Sequence, residues 1–273
     1  MGMYSRFRIR FLFVCCIFLF ADISNTQAEQ KSSIAQALFK RHCKNAGERI
    51  FERVEDVNGF LLLKIRPQKV NWSDQFVLDD PYGDDLGGDG YIKSFLRANY
   101  DLEDASRHLR VGKAKDVKRT REGYEFVEAV DPKDGLIYRY TGFVEQPGLK
   151  NPAFSRKYYR VILTPTLATG PNLRYAVTFD DISTRKDREH WIAGSSLKVI
   201  DLQEKRVIAE RIGYMYDPSQ GNTSGGRSPW LMAANHACPA FDGYSPRFNR
   251  FGQTVRFVEK VLIPARNTIN TVK

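Results

Sequence analysis

Cysteine and histidine are scarce, four of each in 273 residues, and their placement excludes most of the chemistry they support. His42, His108, His190 and His236 are scattered and form neither an H-E-x-x-H motif nor a paired-ligand spacing. His236 and Cys238 alternate as H-x-C, but two ligands do not make a zinc site. The nucleophile elbow G-x-S-x-G is missing, and Gly194-Ser195-Ser196 stands at the entrance to an expected strand. The carboxylate pairs Asp79–Asp80 and Asp180–Asp181 are adjacent in sequence, so within a strand their members point to opposite faces and cannot flank one glycosidic bond. There is no long lysine–arginine run, internal repeat or low-complexity tract. The reading is a chain with no catalytic, metal-binding or cofactor-binding residue assigned, and an enzyme is kept only as the alternative.

A single long apolar run is present, at the very start. Arg6, Arg8 and Arg10 precede an apolar stretch from Phe11 to Ala21, too short for a membrane span, and Thr26 and Ala28 place small residues where a signal peptidase inspects them. Residues 1–28 therefore read as a secretory signal peptide cleaved after Ala28, with an uncleaved anchor as the alternative. Val14 precedes Cys15, and Cys15 precedes Cys16, where a lipoprotein signal needs a small residue. Residues 29–273 form the expected single exported domain, periplasmic or secreted. Cleavage removes Cys15 and Cys16 and leaves Cys43 and Cys238, which in an oxidising compartment point to one disulfide, two buried free thiols being the alternative.

The net charge of +10 falls to about +8 without the segment, which carries three arginines and one aspartate. Export makes nucleic acid an implausible partner. It leaves an anionic lipid surface, cell-wall polymer or an acidic protein to attract the excess, although cations and carboxylates are interspersed as on an ordinary solvated surface.

Ser33 and Gln36 have the spacing of a capping box, and Ala35, Leu38, Phe39, His42, Cys43 and Ala46 follow at helical spacing, with Gly47 closing the helix. His42 on that apolar face reads as a core residue. Arg49–Val54 and Phe60–Ile65 look like hairpin arms turning at Asn58-Gly59. From Tyr124 onward strand patterns dominate: 124–130, 136–144, 158–164, the alternating Leu173–Phe179 stretch, a long hairpin over 196–216 turning near Gln203–Lys205, and 255–263. Core and cross-strand packing accounts for most of Tyr138, Tyr140, Tyr158, Tyr159, Tyr175, Tyr214 and Tyr216, and an exposed subset would suit a protein interface. The expected fold is mainly β (α+β), a meandering antiparallel sheet with an N-terminal helix packed on the body.

Two segments lack either periodicity. Asp217 to Pro229 is rich in glycine and serine and reads as a long exposed loop. Asp79 to Gly90 sets five aspartates among five turn-forming residues, and Tyr91 to Arg97 after it suits a short helix. A calcium loop would need ligands at alternating positions and a distant glutamate, whereas Asp84 and Asp85 are adjacent and no such glutamate follows. The default reading is an ordinary turn-rich loop whose aspartates cap backbone amides; beside it Asp79, Asp80, Tyr82, Asp84, Asp85 and Asp89 are carried as a candidate partner-binding loop, an acidic surface on a basic protein.

Three stretches carry a resemblance: C-K-N-A-G-E-R-I from Cys43, L-D-D-P-Y-G-D-D-L-G-G-D-G-Y-I from Leu78, and R-S-P-W from Arg227 leading to Cys238-Pro239. In these the chain resembles exported bacterial proteins associated with type VI secretion effectors, candidate periplasmic immunity proteins. The resemblance implies a protein-binding role, with a secreted toxin as partner. An envelope enzyme acting on lipid or cell-wall material and a structural envelope component are the alternatives.

Overall fold

The computed structural model describes residues 29–68, 71, 73–77, 85–106, 122–170, 172–241 and 252–266, without the side chains of 103–106. The expected signal segment and Asp79, Asp80, Tyr82 and Asp84 lie outside the described residues. Helix α1 covers 29–43, followed by β1 (Gly47–Ile50), β2 (Val54–Val57), β3 (Gly59–Leu62), α2 (Asp89–Phe95) and α3 (Arg97–Ser106). The chain continues through β4 (Phe126–Val130), β5 (Ile137–Glu145), β6 (Arg160–Leu167), β7 (Tyr175–Asp181), α4 (Arg185–Glu189), β8 (Ile192–Asp201) and β9 (Arg206–Tyr216). It ends with α5 (Pro229–Ala233), β10 (Ala237–Cys238), α6 (Gln253–Val261) and β11 (Leu262–Pro264).

Nine strands make one sheet in the order β1-β9-β8-β7-β3-β4-β5-β6, with β10 also on β9. Neighbours are antiparallel except that β3 runs parallel to both β4 and β7. A parallel neighbour needs a crossover, and α2 and α3 lie on the one between β3 and β4. This is where the expected hairpin at Asn58-Gly59 fails. Its turn type needs positive φ at both central residues, and neither has it. The Asn58 carbonyl instead accepts the amides of Glu125 and Phe126. Gly59 serves close strand approach, since a Cβ there would sit 2.6 Å from the Phe126 carbonyl oxygen. β2 and β3 consequently diverge, β2 pairing in parallel with β11 in a separate two-stranded sheet.

A second expectation also gives way, because 255–263 is mostly helix. Val255, Val258 and Val261 recur at helical spacing and are buried with Phe257, so the 3.6 period prevails over the β-branched composition. By contrast the 196–216 hairpin forms as β8–β9, with Asp201 Oδ1 accepting the turn amides of Gln203 and Glu204. The short helix after the acidic stretch is α2. Residues 29–32 are already helical, so Ser33 lies inside α1 rather than capping it.

One face of the sheet carries the main core. Phe60 and Leu62 of β3, Val127 and Ala129 of β4, Val177 and Phe179 of β7, and Leu197 and Val199 of β8 meet Tyr91, Ile92 and Phe95 of α2 and the buried stripe of α6. Phe60 stands edge-on to Phe95 and Tyr124, with centroids at 5.2 and 4.8 Å; burying one such ring contributes about 2–3 kcal/mol. The other face carries charge: Lys64 and Lys198 flank Asp180, and Ser196 Oγ donates to Glu210 at 3.0 Å. That is the one-sided wetting usual for antiparallel sheets.

β1 and β10 lie end to end along the outer edge of β9, opposite residues 209–212 and 214–215. The Cys43–Cys238 disulfide forms, with Cα atoms 5.6 Å apart, and joins the end of α1 to β10 beside this edge. An exposed edge invites foreign strands, and here β1 and β10 cover it. The bond spans 195 positions in sequence, for which chain entropy gives an upper limit of about 5 kcal/mol. Helix α1 packs on β9 through ring stacks of Phe39 on Tyr216 and His42 on Tyr214, each with centroids at 4.4 Å.

Candidate functional site

Of the acidic-loop residues, Asp85 and Asp89 can be placed, and they differ. Asp85 is buried, and its carboxylate caps α6, accepting the amides of Gly252 and Thr254, the Thr254 hydroxyl and the Leu86 amide. These donors occupy it and take it off the surface a partner could reach. Asp89 is exposed in the first turn of α2.

The sequence reading missed the segment just before this loop. Asn71 Oδ1 accepts the amides of Ser73 and Asp74, and Asp74 Oδ1 accepts those of Phe76 and Val77 at 3.0 and 3.1 Å, two successive side-chain turns. The Trp230 indole donates to the Asp74 carbonyl at 2.7 Å, and Gln75 Nε2 donates to the Arg188 carbonyl at 2.6 Å. Backbone and side chain thus tie the loop to α4 and α5, while Phe76 and Val77 stay 48% and 63% exposed. Arg185 lies over the Phe76 ring, 5.0 Å from its centroid.

The ground under that loop is a dense polar–aromatic layer. Trp191 and Trp230 pack with centroids 5.1 Å apart, alongside Met215 and Ala233, and the Arg188 guanidinium lies 5.3 Å from the Trp230 centroid. Arg188 pairs with Asp181, and His42 Nε2 lies 2.7 Å from Asp187 Oδ1. Burial pushes the Asp187 carboxyl up, but hydrogen bonds from the Thr184 hydroxyl and amide, together with His42, outweigh it and hold the group below the usual range. His42 is therefore a half-buried, satisfied residue of the helix interface.

The expected 217–229 loop is tied down at both ends. Asp217 is fully buried, accepts the amides of Ser219 and Gly221, and forms a fork-to-fork pair with Arg227. Only 222–226 form an exposed run. Nothing in the spacing of Asp217 and Arg227 distinguishes a buried pair from two loop charges, so this hub was not readable in advance.

At the far edge of the sheet, β5 and β6 form an arm. Residues 136–167 hold six of the eleven large apolar side chains exposed among the described residues: Leu136, Phe143, Leu149, Phe154, Tyr158 and Leu167. Tyr158 belongs to the exposed subset of the tyrosines expected in strands. Near the arm's base a cleft of about 450 Å³ is lined by Leu61, Ile137, Leu173, Leu202 and Glu128, among others. Glu128 Oε1 takes both Nε and Nη2 of Arg139, at 3.0 and 2.7 Å, which commits this carboxylate to an ion pair.

Two serine–lysine spacings of the S-x-x-K kind occur, at Ser183–Lys186 and Ser195–Lys198, and neither assembles a nucleophile with its base. Ser195 and Lys198 are three apart in β8 and so face opposite sides. Ser183 Oγ accepts the Gly194 amide at 2.7 Å, and Lys186 is exposed. Among the described residues no group of three histidine, cysteine, aspartate or glutamate side chains converges as a metal site, and no helix is long and apolar enough to cross a membrane.

No protein-family model, curated protein or solved structure matches the chain. The functional reading therefore rests on its own surfaces.

Proposed function

We propose that this chain is an exported, non-enzymatic binding protein of the bacterial periplasm, an immunity protein that neutralises a secreted type VI effector by covering it. The observation that carries the reading is the display of Phe76 and Val77 on a loop held rigid from beneath by Asp74, Gln75 and Trp230. In sequence that loop runs directly into Asp79, Asp80, Tyr82 and Asp84, with Asp89 exposed beyond them. Apolar anchors that are already ordered lose little freedom on binding. Carboxylates around them steer a basic partner and set its orientation. The partner chemistry that fits is a basic protein surface with an apolar recess, as a toxin acting on an anionic polymer would present.

The test is protection. The chain is co-expressed in the periplasm with each toxin candidate encoded by a neighbouring gene, and survival is scored for wild type and for Phe76→Glu/Val77→Glu. Survival with the wild type and killing with the double variant, at equal protein level and melting temperature, is the expected result. Killing in both cases would overturn the immunity reading, and survival in both would overturn the loop as its surface.

A further inference from the structure

We propose that the tip of the β5–β6 arm, residues 146–159, docks on the surface of an anionic lipid bilayer. This goes beyond the partner reading and uses a different surface, so either can fail alone. The tip carries Lys150, Arg156 and Lys157 and no carboxylate across all fourteen positions. Just outside it Glu145 is neutralised by Arg160, with Nε and Nη2 each 2.8 Å from Oε2. Among the described residues the three tip cations make no ion pair, whereas Arg139, Arg174, Arg206, Arg227 and Lys260 all do. Alternating with these cations, Leu149 is 70% exposed, Phe154 38% and Tyr158 45%.

The tip is also internally ordered. Pro147–Leu149 form a tight turn, and the amides of Phe154 and Tyr158 bond back to the carbonyls of Asn151 and Ser155. Gln146 Nε2 closes the loop on the Arg156 carbonyl. Gly148 packs so closely that an added Cβ would lie 2.6 Å from the Ser155 carbonyl oxygen. Phe154 and Tyr158 stack with centroids 6.0 Å apart.

A protein partner would need a carboxylate opposite each cation and a recess for each apolar side chain. A bilayer presents negative charge everywhere with hydrocarbon just beneath, so it satisfies cations and apolar groups interleaved along one protruding loop without positional matching. Each cation near an anionic surface is worth about fivefold in partitioning, so the three together are worth about 100-fold.

The experiment is co-sedimentation of the purified full-length protein, as it accumulates in cells, with phosphatidylglycerol-rich vesicles and with phosphatidylcholine vesicles. Zwitterionic vesicles control for any retained Phe11–Ala21 segment. Expected are salt-sensitive binding to the anionic vesicles, a loss of about 100-fold in Lys150→Gln/Arg156→Gln/Lys157→Gln, and a loss of about tenfold or more in Leu149→Glu/Phe154→Glu, with unchanged melting curves. Equal binding to both vesicle types, or wild-type affinity in the triple variant, overturns the proposal. So does sedimentation equilibrium showing that Leu149→Glu/Phe154→Glu breaks a dimer while leaving vesicle binding intact, which would assign the tip to a second copy.

Discussion

The loop at 71–77 and the tip of the β5–β6 arm both push apolar side chains into solvent, but they are charged and held in opposite ways. The loop leads into aspartates and is fastened to the body by groups distant in sequence, Trp230 and Arg188. The tip is basic and fastened mainly to itself, through turns whose partners lie within about ten residues. Display of apolar groups alone therefore does not identify a surface; sign of charge and source of rigidity separate the two. A long-range anchor couples the loop to global stability, whereas a self-closed tip can change without consequence for the core.

The strongest way to break that contrast is to disturb the body beside the loop's anchor, where the Asp217 amide bonds the Trp191 carbonyl. Asp217→Asn leaves the Arg227 guanidinium partly buried without its counter-charge and is expected to cost about 3 kcal/mol in urea denaturation; Lys157→Gln in the tip should stay within about 0.5 kcal/mol. Equal losses would erase the distinction. Next in size, Asp85→Ala removes the cap of α6 and should cost about 1–3 kcal/mol, measured in the same way. An unchanged midpoint would return Asp85 to the partner-facing set. A smaller effect, about 1 kcal/mol, is expected for Trp230→Phe, which keeps an aromatic ring but loses the bond to Asp74. Hydrogen exchange should then quicken at the Phe76 and Val77 amides and not at Phe154 or Tyr158.

The pH dependence sharpens the same contrast. The hydrogen bond from Arg174, opposed by burial and aided by the turn amides of Glu204 and Gln203, holds the Asp201 carboxyl below its ordinary range, and Asp187 is lowered as well. Folded values below unfolded ones mean that the unfolded chain binds more protons between the two. This contribution is complete above the unfolded carboxylate value of about 3.9 and is lost as pH falls through the lower folded values. Asp201→Asn should flatten the acid limb of the stability curve below about pH 4, while the tip, which has no carboxylate, contributes nothing there. An acid limb unchanged by this substitution would remove Asp201 from the account.

Much of the fold was legible because local rules and tertiary packing agreed. The alternation from Leu173 to Phe179, the 196–216 hairpin and the apolar stripe of α1 each bury the face their period marks. The tip was passed over, because cations and carboxylates alternate over the chain as a whole and its local charge is masked within the net value, although the acid-free stretch 146–159 stands in the sequence. Gly59 misleads because its signal is degenerate: a glycine after asparagine suits a tight turn or a close strand approach, and only the neighbour, Phe126, distinguishes them. The 255–263 segment misleads because β-branched composition and helical period disagree, and burial against the sheet decides for the period. The loop at 71–77 could be half seen, through its Asn71 and Asp74 turns, but not its anchor 156 positions away.

By itself the sequence determined what depends on neighbours along the chain: the periods, the turns and the charge of the tip. Tertiary structure alone decided what depends on which distant segments meet. It placed β3 in parallel between β4 and β7, laid β1 and β10 along one edge beside a disulfide, buried Asp85 and Asp217, and set Trp230 under Asp74. The physical reason is that burial and pairing are properties of an assembled packing. Asp85 stands 167 positions from Gly252, whose amide it accepts, and its local pattern would be the same had it faced solvent instead of capping a helix.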